Sequence, residues 1–497
     1  MPGNVPSPLE PTRDEIMRMG EAALRVAADY FDTVRDMPIS PAPVSPALSE
    51  PLGPSAPVEG VPFDELLHRV ESTVIPASRH SGHPRFFGYV NSPGTPATAL
   101  ADLLASALDQ NLTSWRSAPG PTEMERQTVG WIREILGLAP GADGLFVSGG
   151  SMANLCGLTA ARDARAGIGV AAAGCQALDS ALRIYASEEV HHSIQKAAGL
   201  LGIGRGNVRL VPTDARFRMR TDLLEEAIRE DGASGYRPIC VVATAGTVNT
   251  GAVDDIEAIA DVAETHGLWL HVDASYGGFA ALSPTHKPLF RGIERADSVA
   301  LDPHKWLYVP LDCGCIVYRN PAAARLPFAH DAEYTRVIGH TDDQSFAFWD
   351  FGPELSRRFR ALKVWMALAH AGTRTLGEVI ASNCDCARYL AELVEEADDF
   401  EMLAPVELSI FCFRYVPPEY RGIEDEGRAE ELDRLNESIL ADVQREGSSY
   451  LSNARINGRF ALRGCVLNYR TTRNDMRLLL DDIRAAAAVV QGRTART

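Results

Sequence analysis

The sequence predicts an α/β body, built on a mostly parallel seven-stranded sheet, followed by a smaller α+β lobe. Short β-branched runs bounded by Gly, Pro or Asp alternate with helical stretches through the middle of the chain. That alternation implies a sheet covered on both faces. After about residue 370 a long helical pattern and alternating strands replace it. Ahead of both lie a helical stretch and eight prolines between Pro38 and Pro62. The expected division is an arm over 1–85, a large domain over 86–372 and a small domain over 373–497.

Taken in order, residues 10–36 set Ile16, Met19, Leu24, Val26 and Tyr30 among charges at helical spacing. Proline fixes φ and lacks an N–H, so the stretch that follows is neither helix nor central strand. It reads as a linker, or as an ordered arm laid over a surface that a dimer partner can supply. Strands are expected at Leu145–Val147, Arg183–Ala186, Val208–Val211, Ile239–Ala243, Leu268–Val272, Ser298–Leu301 and Cys315–Tyr318. Helices fill the gaps at Met152–Arg165, Leu223–Arg229 and Ile256–His266. In the C-terminal lobe Leu376–Glu396 reads as helix, and the segments near Leu408–Tyr415 and Phe460–Tyr469 as strands. Asp475–Val490 reads as a closing helix capped by Asn474.

The chain has 497 residues, 45% hydrophobic and 23% charged, which is ordinary for a globular protein whose core needs no disulfides. Its 48 basic and 66 acidic residues give a net charge of −18, a poor basis for nonspecific binding to nucleic acid or an anionic membrane. An anionic small ligand is not excluded. Nine cysteines at scattered spacing read as reduced core residues. The first residues show neither a basic start nor an apolar stretch, and no apolar run approaches the roughly 20 residues that span a bilayer. The expectation is a soluble, cytoplasmic protein with neither nucleic acid nor membrane as partner.

Four segments carry chemistry. In Asp297–Trp306 a strand ends at a proline and Lys305 follows His304 between apolar neighbours. Partial burial lowers a lysine's pKa and frees its amine for Schiff-base formation, although a surface lysine is the blander reading. In Leu268–Tyr276, Asp273 closes an apolar strand, where α/β sheets place ligands. A carboxylate there can hold a cofactor ring nitrogen protonated, or simply cap a turn. In Leu145–Asn154 a strand runs through Gly149-Gly150-Ser151 into a helix, which presents N–H groups to an anion. In Ser187–Ser193, His191 follows a strand and can stack on a ring or serve as a core histidine. His191 and His192 are adjacent and so point apart, Cys313 and Cys315 fit strand alternation, and Cys384 and Cys386 fit a helix. No metal is expected.

With Ala243–Thr247 added, the order is phosphate turn, histidine, strand-end threonine, strand-end aspartate, then His-Lys, with Lys305 32 positions after Asp273. In this order, and in His83–Tyr89, Pro119–Glu125 and Arg357–Arg360, the chain resembles the group II pyridoxal-phosphate-dependent decarboxylases over nearly its whole length. That family includes the aromatic-L-amino-acid, glutamate and histidine decarboxylases. The resemblance implies a fold-type-I enzyme with one antiparallel strand in its sheet, forming a homodimer with its sites at the interface. The implied cofactor is pyridoxal 5′-phosphate, carried as an aldimine by Lys305, with Asp273 on the pyridinium nitrogen. His191 would stack on the ring, Thr247 would lie near its other face or oxygen, and Gly150, Ser151, Ser298 and His304 would surround the phosphate. Asp302 stands where animal members commonly have asparagine, and a carboxylate there is unfavourable beside a phosphate.

The resemblance also implies decarboxylation of an L-amino acid through a quinonoid. Tyr89 and Trp115 match pocket positions of the aromatic decarboxylases, whereas Val90 and Thr113 stand where those enzymes carry phenylalanine. Arg463 matches an arginine near the pocket that can bind a substrate carboxylate. In the family a tyrosine on a mobile loop protonates the quinonoid. Counted back from Arg357–Arg360, the matching position is Phe348, with Tyr334 fourteen positions away. A phenylalanine there implies an alternative, in which dioxygen traps the carbanion and aldehyde, ammonia and peroxide result. Aminotransferase or aldolase chemistry, and a non-catalytic binding protein on this scaffold, are the remaining readings.

Overall fold

The computed structural model describes residues 7, 9–41, 52–53, 55–167, 169–329, 346–422 and 425–494. Seven strands form one sheet: β1 (Asp143–Val147), β2 (Leu182–Ser187), β3 (Val208–Val211), β4 (Arg237–Thr244), β5 (Trp269–Asp273), β6 (Ser298–Leu301) and β7 (Gly314–Tyr318). Their spatial order is β1-β7-β6-β5-β4-β2-β3. β7 is antiparallel to both neighbours and the other pairs are parallel, as the resemblance implies. Every strand expected in this sheet is present, within two residues at each end. Each residue of β2, β5 and β7 is buried, which is why these runs carry no polar face to alternate with. The helix Gly150–Ala166 lies against the sheet through small residues such as Ala153, Gly157 and Ala160. A methyl on Gly157 would come within 2.5 Å of the His271 ring.

β1 and the antiparallel β7 meet where the site will form, because Val147, the last residue of β1, pairs with Gly314, the first of β7. The approach is so close that a Cβ on Gly314 would lie 2.5 Å from Gly149 Cα.

The C-terminal lobe holds a four-stranded antiparallel sheet of β8 (Phe400–Met402), β9 (Ile410–Tyr415), β10 (Ser452–Ile456) and β11 (Arg459–Cys465), in the order β10-β11-β9-β8. Sequence patterning finds β9 and β11 but not β8, which has only three residues, or β10, whose exposed Asn453 and Arg455 hide the strand. β11 also ends at Cys465, four residues short of the expected Tyr469. The helix expected from Leu376 begins at Ala361 and reaches Glu396, with a kink at Gly372 (φ 77°). The last helix starts at Arg473 rather than after Asn474. Its cap is Thr472, whose N–H (2.8 Å) and hydroxyl (2.7 Å) both donate to Asp475 Oδ2.

At the other end the helix Arg13–Thr33 opens with a reciprocal Thr12–Glu15 cap and buries none of its residues. Part of the proline stretch, 42–51 and 54, lies outside the described residues. All nine cysteines are free. Among the described residues no helix is long and apolar enough to cross a membrane, and no cluster of three or more His, Cys, Asp or Glu can hold a metal.

Candidate active site

A cleft of about 390 Å³ opens at the C-terminal ends of the parallel strands. It gathers Gly150 and Ser151 from the turn after β1, His191 from the turn after β2, Asp273 from the end of β5, and Asp302, His304 and Lys305 from the segment after β6. A larger groove of about 930 Å³ between Trp131, Lys287 and Arg374 shares no residue with this cleft.

Lys305 sits on a one-turn helix, Pro303–Trp306, pinned from both sides. The Trp306 ring is buried, stacks on Tyr276 at 5.0 Å and donates to Asn383 Oδ1 at 3.1 Å. His304 Nδ1 lies 2.6 Å from the Cys313 carbonyl. The lysine side chain is 21% exposed, and its Nζ is 2.8 Å from Asp302 Oδ2. Burial alone would lower its pKa, but the Asp302 and Asp273 carboxylates outweigh burial and raise it. The expected depression is therefore reversed, because two carboxylates stabilise the ammonium form. Lys363, which is fully buried, is committed to Asp102 at 3.0 Å.

Asp273 ends a chain of polar contacts that no local pattern in the sequence announces. Trp269 Nε1 donates to Ser298 Oγ (2.8 Å), which lies 2.8 Å from His271 Nδ1. His271 Nε2 lies 2.9 Å from Asn154 Oδ1, and the Asn154 amide donates to Asp273 Oδ2 (2.8 Å) and Ser193 Oγ (2.9 Å). Ser275 N–H donates to Asp273 Oδ1 at 3.1 Å. All donors run one way if His271 is neutral with its proton on Nε2, and burial pushes its pKa down to about 4. Burial would raise the Asp273 pKa. The Ser275 and Asn154 hydrogen bonds and the Lys305 charge more than offset it, leaving a carboxylate below its ordinary range. His191 is oriented by Ser193 Oγ, 2.7 Å from its Nδ1, and burial holds its pKa low.

The site residues fit pyridoxal phosphate. The helix Gly150–Ala166 begins at the turn, so its first N–H groups have no carbonyl of their own helix to bond. A Cβ on Gly150 would meet Ser275 Oγ at 2.5 Å and Asp302 Oδ2 at 2.8 Å, so only glycine leaves this cradle open. Three buried cleft atoms lack a hydrogen-bond partner: Ser275 Oγ, Thr244 Oγ1 and Asp302 Oδ1. An amine, a strand-end carboxylate and orphaned polar atoms around a glycine turn are the donor set such a cofactor requires.

Other residues marked in the sequence lie elsewhere. Thr247 is buried between Thr250 and the Ala252 N–H, although its neighbours Gly246 and Val248 line the cleft. Ser298 lies behind the cleft, supporting His271. Tyr89 is 55% exposed and Trp115 donates to Glu123 (2.8 Å), and neither lines the cleft. Arg463 is buried and donates to the carbonyls of Val248 (3.0 and 2.6 Å) and Tyr89 (2.8 Å). It clamps the cleft wall instead of presenting itself to a carboxylate. Phe348 is a clear correction. It is 0% exposed in the core, beneath the Arg357 guanidinium (4.1 Å) and edge-on to Phe346 (4.9 Å), and its N–H donates to Thr113 O (2.9 Å). Tyr334 lies outside the described residues.

Comparison with known proteins identifies the family. The pyridoxal-dependent decarboxylase conserved domain matches residues 46–416. An aromatic-L-amino-acid decarboxylase of Bacillus atrophaeus is 33% identical over 482 residues, covering 97% of each chain. A phenylacetaldehyde synthase of Petunia hybrida is 30% identical over 466 residues, covering 91% of this chain and 90% of its own. The crystal structure of Oryza sativa TDC with PLP and tryptamine superposes with a TM-score of 0.88 at 29% identity, covering 97% of this chain and 99% of that one. The chain belongs to the pyridoxal-dependent decarboxylase family, carboxy-lyases whose cofactor is pyridoxal 5′-phosphate.

Proposed function

We propose that the protein decarboxylates an aromatic L-amino acid to its amine, with Lys305 carrying the cofactor. The observation that carries this is the convergence of Lys305, Asp273 and the Gly150–Ser151 turn in one cleft. The bound cofactor supplies the electron sink for the pair released with CO2. The Lys305 ammonium gives up its proton, for which the Asp302 carboxylate at 2.8 Å is the nearest acceptor. Asp273, kept ionised by Asn154 and Ser275, would hold a proton on the ring nitrogen. His191, fixed by Ser193, would cover the ring. Ser298 and Thr247 act from behind, through His271 and the cleft wall.

We also propose the division into arm (1–85), large domain (86–372) and small domain (373–497), which the kink at Gly372 supports. A homodimer is supported by open apolar side chains on Arg13–Thr33 (Ile16, Met17, Leu24) and Pro96–Leu108 (Leu100, Leu103, Leu104). An interface would let Tyr89 and Trp115, outside this chain's own cleft, take part in substrate binding. The oxidative alternative has an aldehyde-forming relative, but Phe348 in the core leaves it without its residue-level reason.

Incubating the holoenzyme with a panel of amino acids, with CO2, amine, aldehyde and peroxide measured together, tests the reading. Equal amine and CO2 from aromatic substrates, without oxygen uptake, are expected. Aldehyde and peroxide in proportion to CO2 would move the assignment to the oxidative reaction.

A further inference from the structure

Asn154, the fifth residue of the helix Gly150–Ala166, is buried where the supports of Asp273 and His191 meet. Its Nδ2 lies 2.8 Å from Asp273 Oδ2 and 2.9 Å from Ser193 Oγ, so each of its two amide protons has a partner. Its Oδ1 lies 2.9 Å from His271 Nε2. The way this amide faces follows from those partners. A carboxylate only accepts, so a reversed Asn154 would set its carbonyl against Asp273, two acceptors in contact inside the protein.

The rest of the network then has one arrangement of donors. With the Asn154 carbonyl on His271, Nε2 of that ring donates. Its Nδ1 accepts from the Ser298 hydroxyl at 2.8 Å, and Ser298 Oγ accepts from the Trp269 indole N–H, which can only donate, at 2.8 Å. Trp269, His271 and Ser298 are all buried, which keeps bulk water from competing. On the other branch the Ser193 backbone N–H, also a donor only, meets His191 Nδ1 at 3.2 Å. That nitrogen therefore accepts, and the Ser193 hydroxyl at 2.7 Å donates to it as well. The lone pairs of Ser193 Oγ are left for the Asn154 amide, and His191 carries its own proton on Nε2.

Resting on the site reading above, we infer that Asn154 is a positioning residue shared by the two groups that hold the cofactor ring. One amide aims the Asp273 carboxylate and, through Ser193, fixes the His191 ring, in an orientation locked from Trp269 through Ser298 and His271. No proton changes place and no bond forms or breaks. Asn154 acts only by where its donors and its acceptor stand.

Nitrogen NMR of the histidine-labelled protein tests the network, since a ring nitrogen that bears a proton resonates apart from a bare one. His191→Gln and His271→Gln assign the signals. In the wild type both rings should show a bare Nδ1 and a protonated Nε2. Asn154→Leu removes the acceptor of His271 Nε2, so that proton should move to Nδ1, where Ser298 Oγ remains to accept it. Loosened packing alone would not exchange one tautomer for the other. Affinity of the same variant for pyridoxal 5′-phosphate should fall about tenfold to a hundredfold, as for one lost hydrogen bond to a charged group. Ser193→Ala should weaken binding too, and the double variant should lose less than the product of the two single losses, because both act through one amide. A wild-type His271 with its proton on Nδ1 would overturn the inference, and that spectrum decides even where Asn154→Leu fails to fold. Single losses that multiply in full would overturn the shared role. Failure of the wild type to take up the cofactor would instead overturn the site reading, whereas the tautomers test the network by themselves.

Discussion

Replacing Asp273 by asparagine removes one charge and almost no volume, so its effect can be worked from the contacts. The two carboxylate oxygens face two donors, the Asn154 amide at 2.8 Å and the Ser275 N–H at 3.1 Å. An asparagine can offer its carbonyl to only one of them and must turn its NH2 toward the other. A hydrogen bond to a charged group contributes about 1.5–3 kcal/mol, and a buried donor left facing another donor costs about 1–3 kcal/mol. The apoprotein should therefore lose roughly 2–4 kcal/mol of stability. The ring nitrogen would also exchange a charge-assisted partner for a neutral one, and about 3 kcal/mol lost there slows turnover about a hundredfold. The assay is CO2 release per bound cofactor, with cofactor content matched by absorbance and folding checked by circular dichroism. Turnover within about threefold of wild type, at full cofactor content, would refute the role given to Asp273.

Borohydride reduction of the holoenzyme should fix the cofactor on the peptide holding Lys305; label on Lys363, already committed to Asp102, or on Lys287 would refute the assignment. Phe348→Tyr should cost about 1–3 kcal/mol, because it adds a hydroxyl to a close-packed core, and leave the product ratio unchanged; a shift from aldehyde to amine would show that residue 348 reaches the reacting carbon. His271 is depressed from 6.5 to about 4, so its unfolded form takes up a proton that the folded form refuses. Its contribution is complete above pH 6.5 and is lost as pH falls toward about 4, by about 3 kcal/mol in all, readable by denaturant unfolding of the apoprotein. A flat profile over that range would contradict a neutral, buried His271.

What the sequence disclosed, and what it hid, follows the range of the physics involved. Lys305, Asp273 and Gly150 were legible because each sits where a buried strand stops, and strand ends in a parallel sheet share one edge. Asn154 and His271 were not, although both lie in the segments that drew attention. Their partnership joins residues 117 positions apart, and neither has a local pattern that marks it. Arg463 misled for the opposite reason. Its residue type suggests an anion, whereas its partners are carbonyls 215 and 374 positions away. Phe348 was placed by counting across a connection of variable length, where no period or cap sets the register. β10 escaped because its outward residues are charged or amide side chains on a short strand.

The reversed direction of β7 has a genetic consequence. Because that strand begins rather than ends at the ligand edge, its first residue, Gly314, meets the backbone of Gly149, 165 positions earlier in the chain. Any side chain at 314 would push on the turn from beneath. In a screen for loss of function such a variant would be scored with Lys305 and Asp273, although residue 314 does not line the cleft. A phenotype map of this enzyme would then draw its active site one strand wider than its chemistry requires.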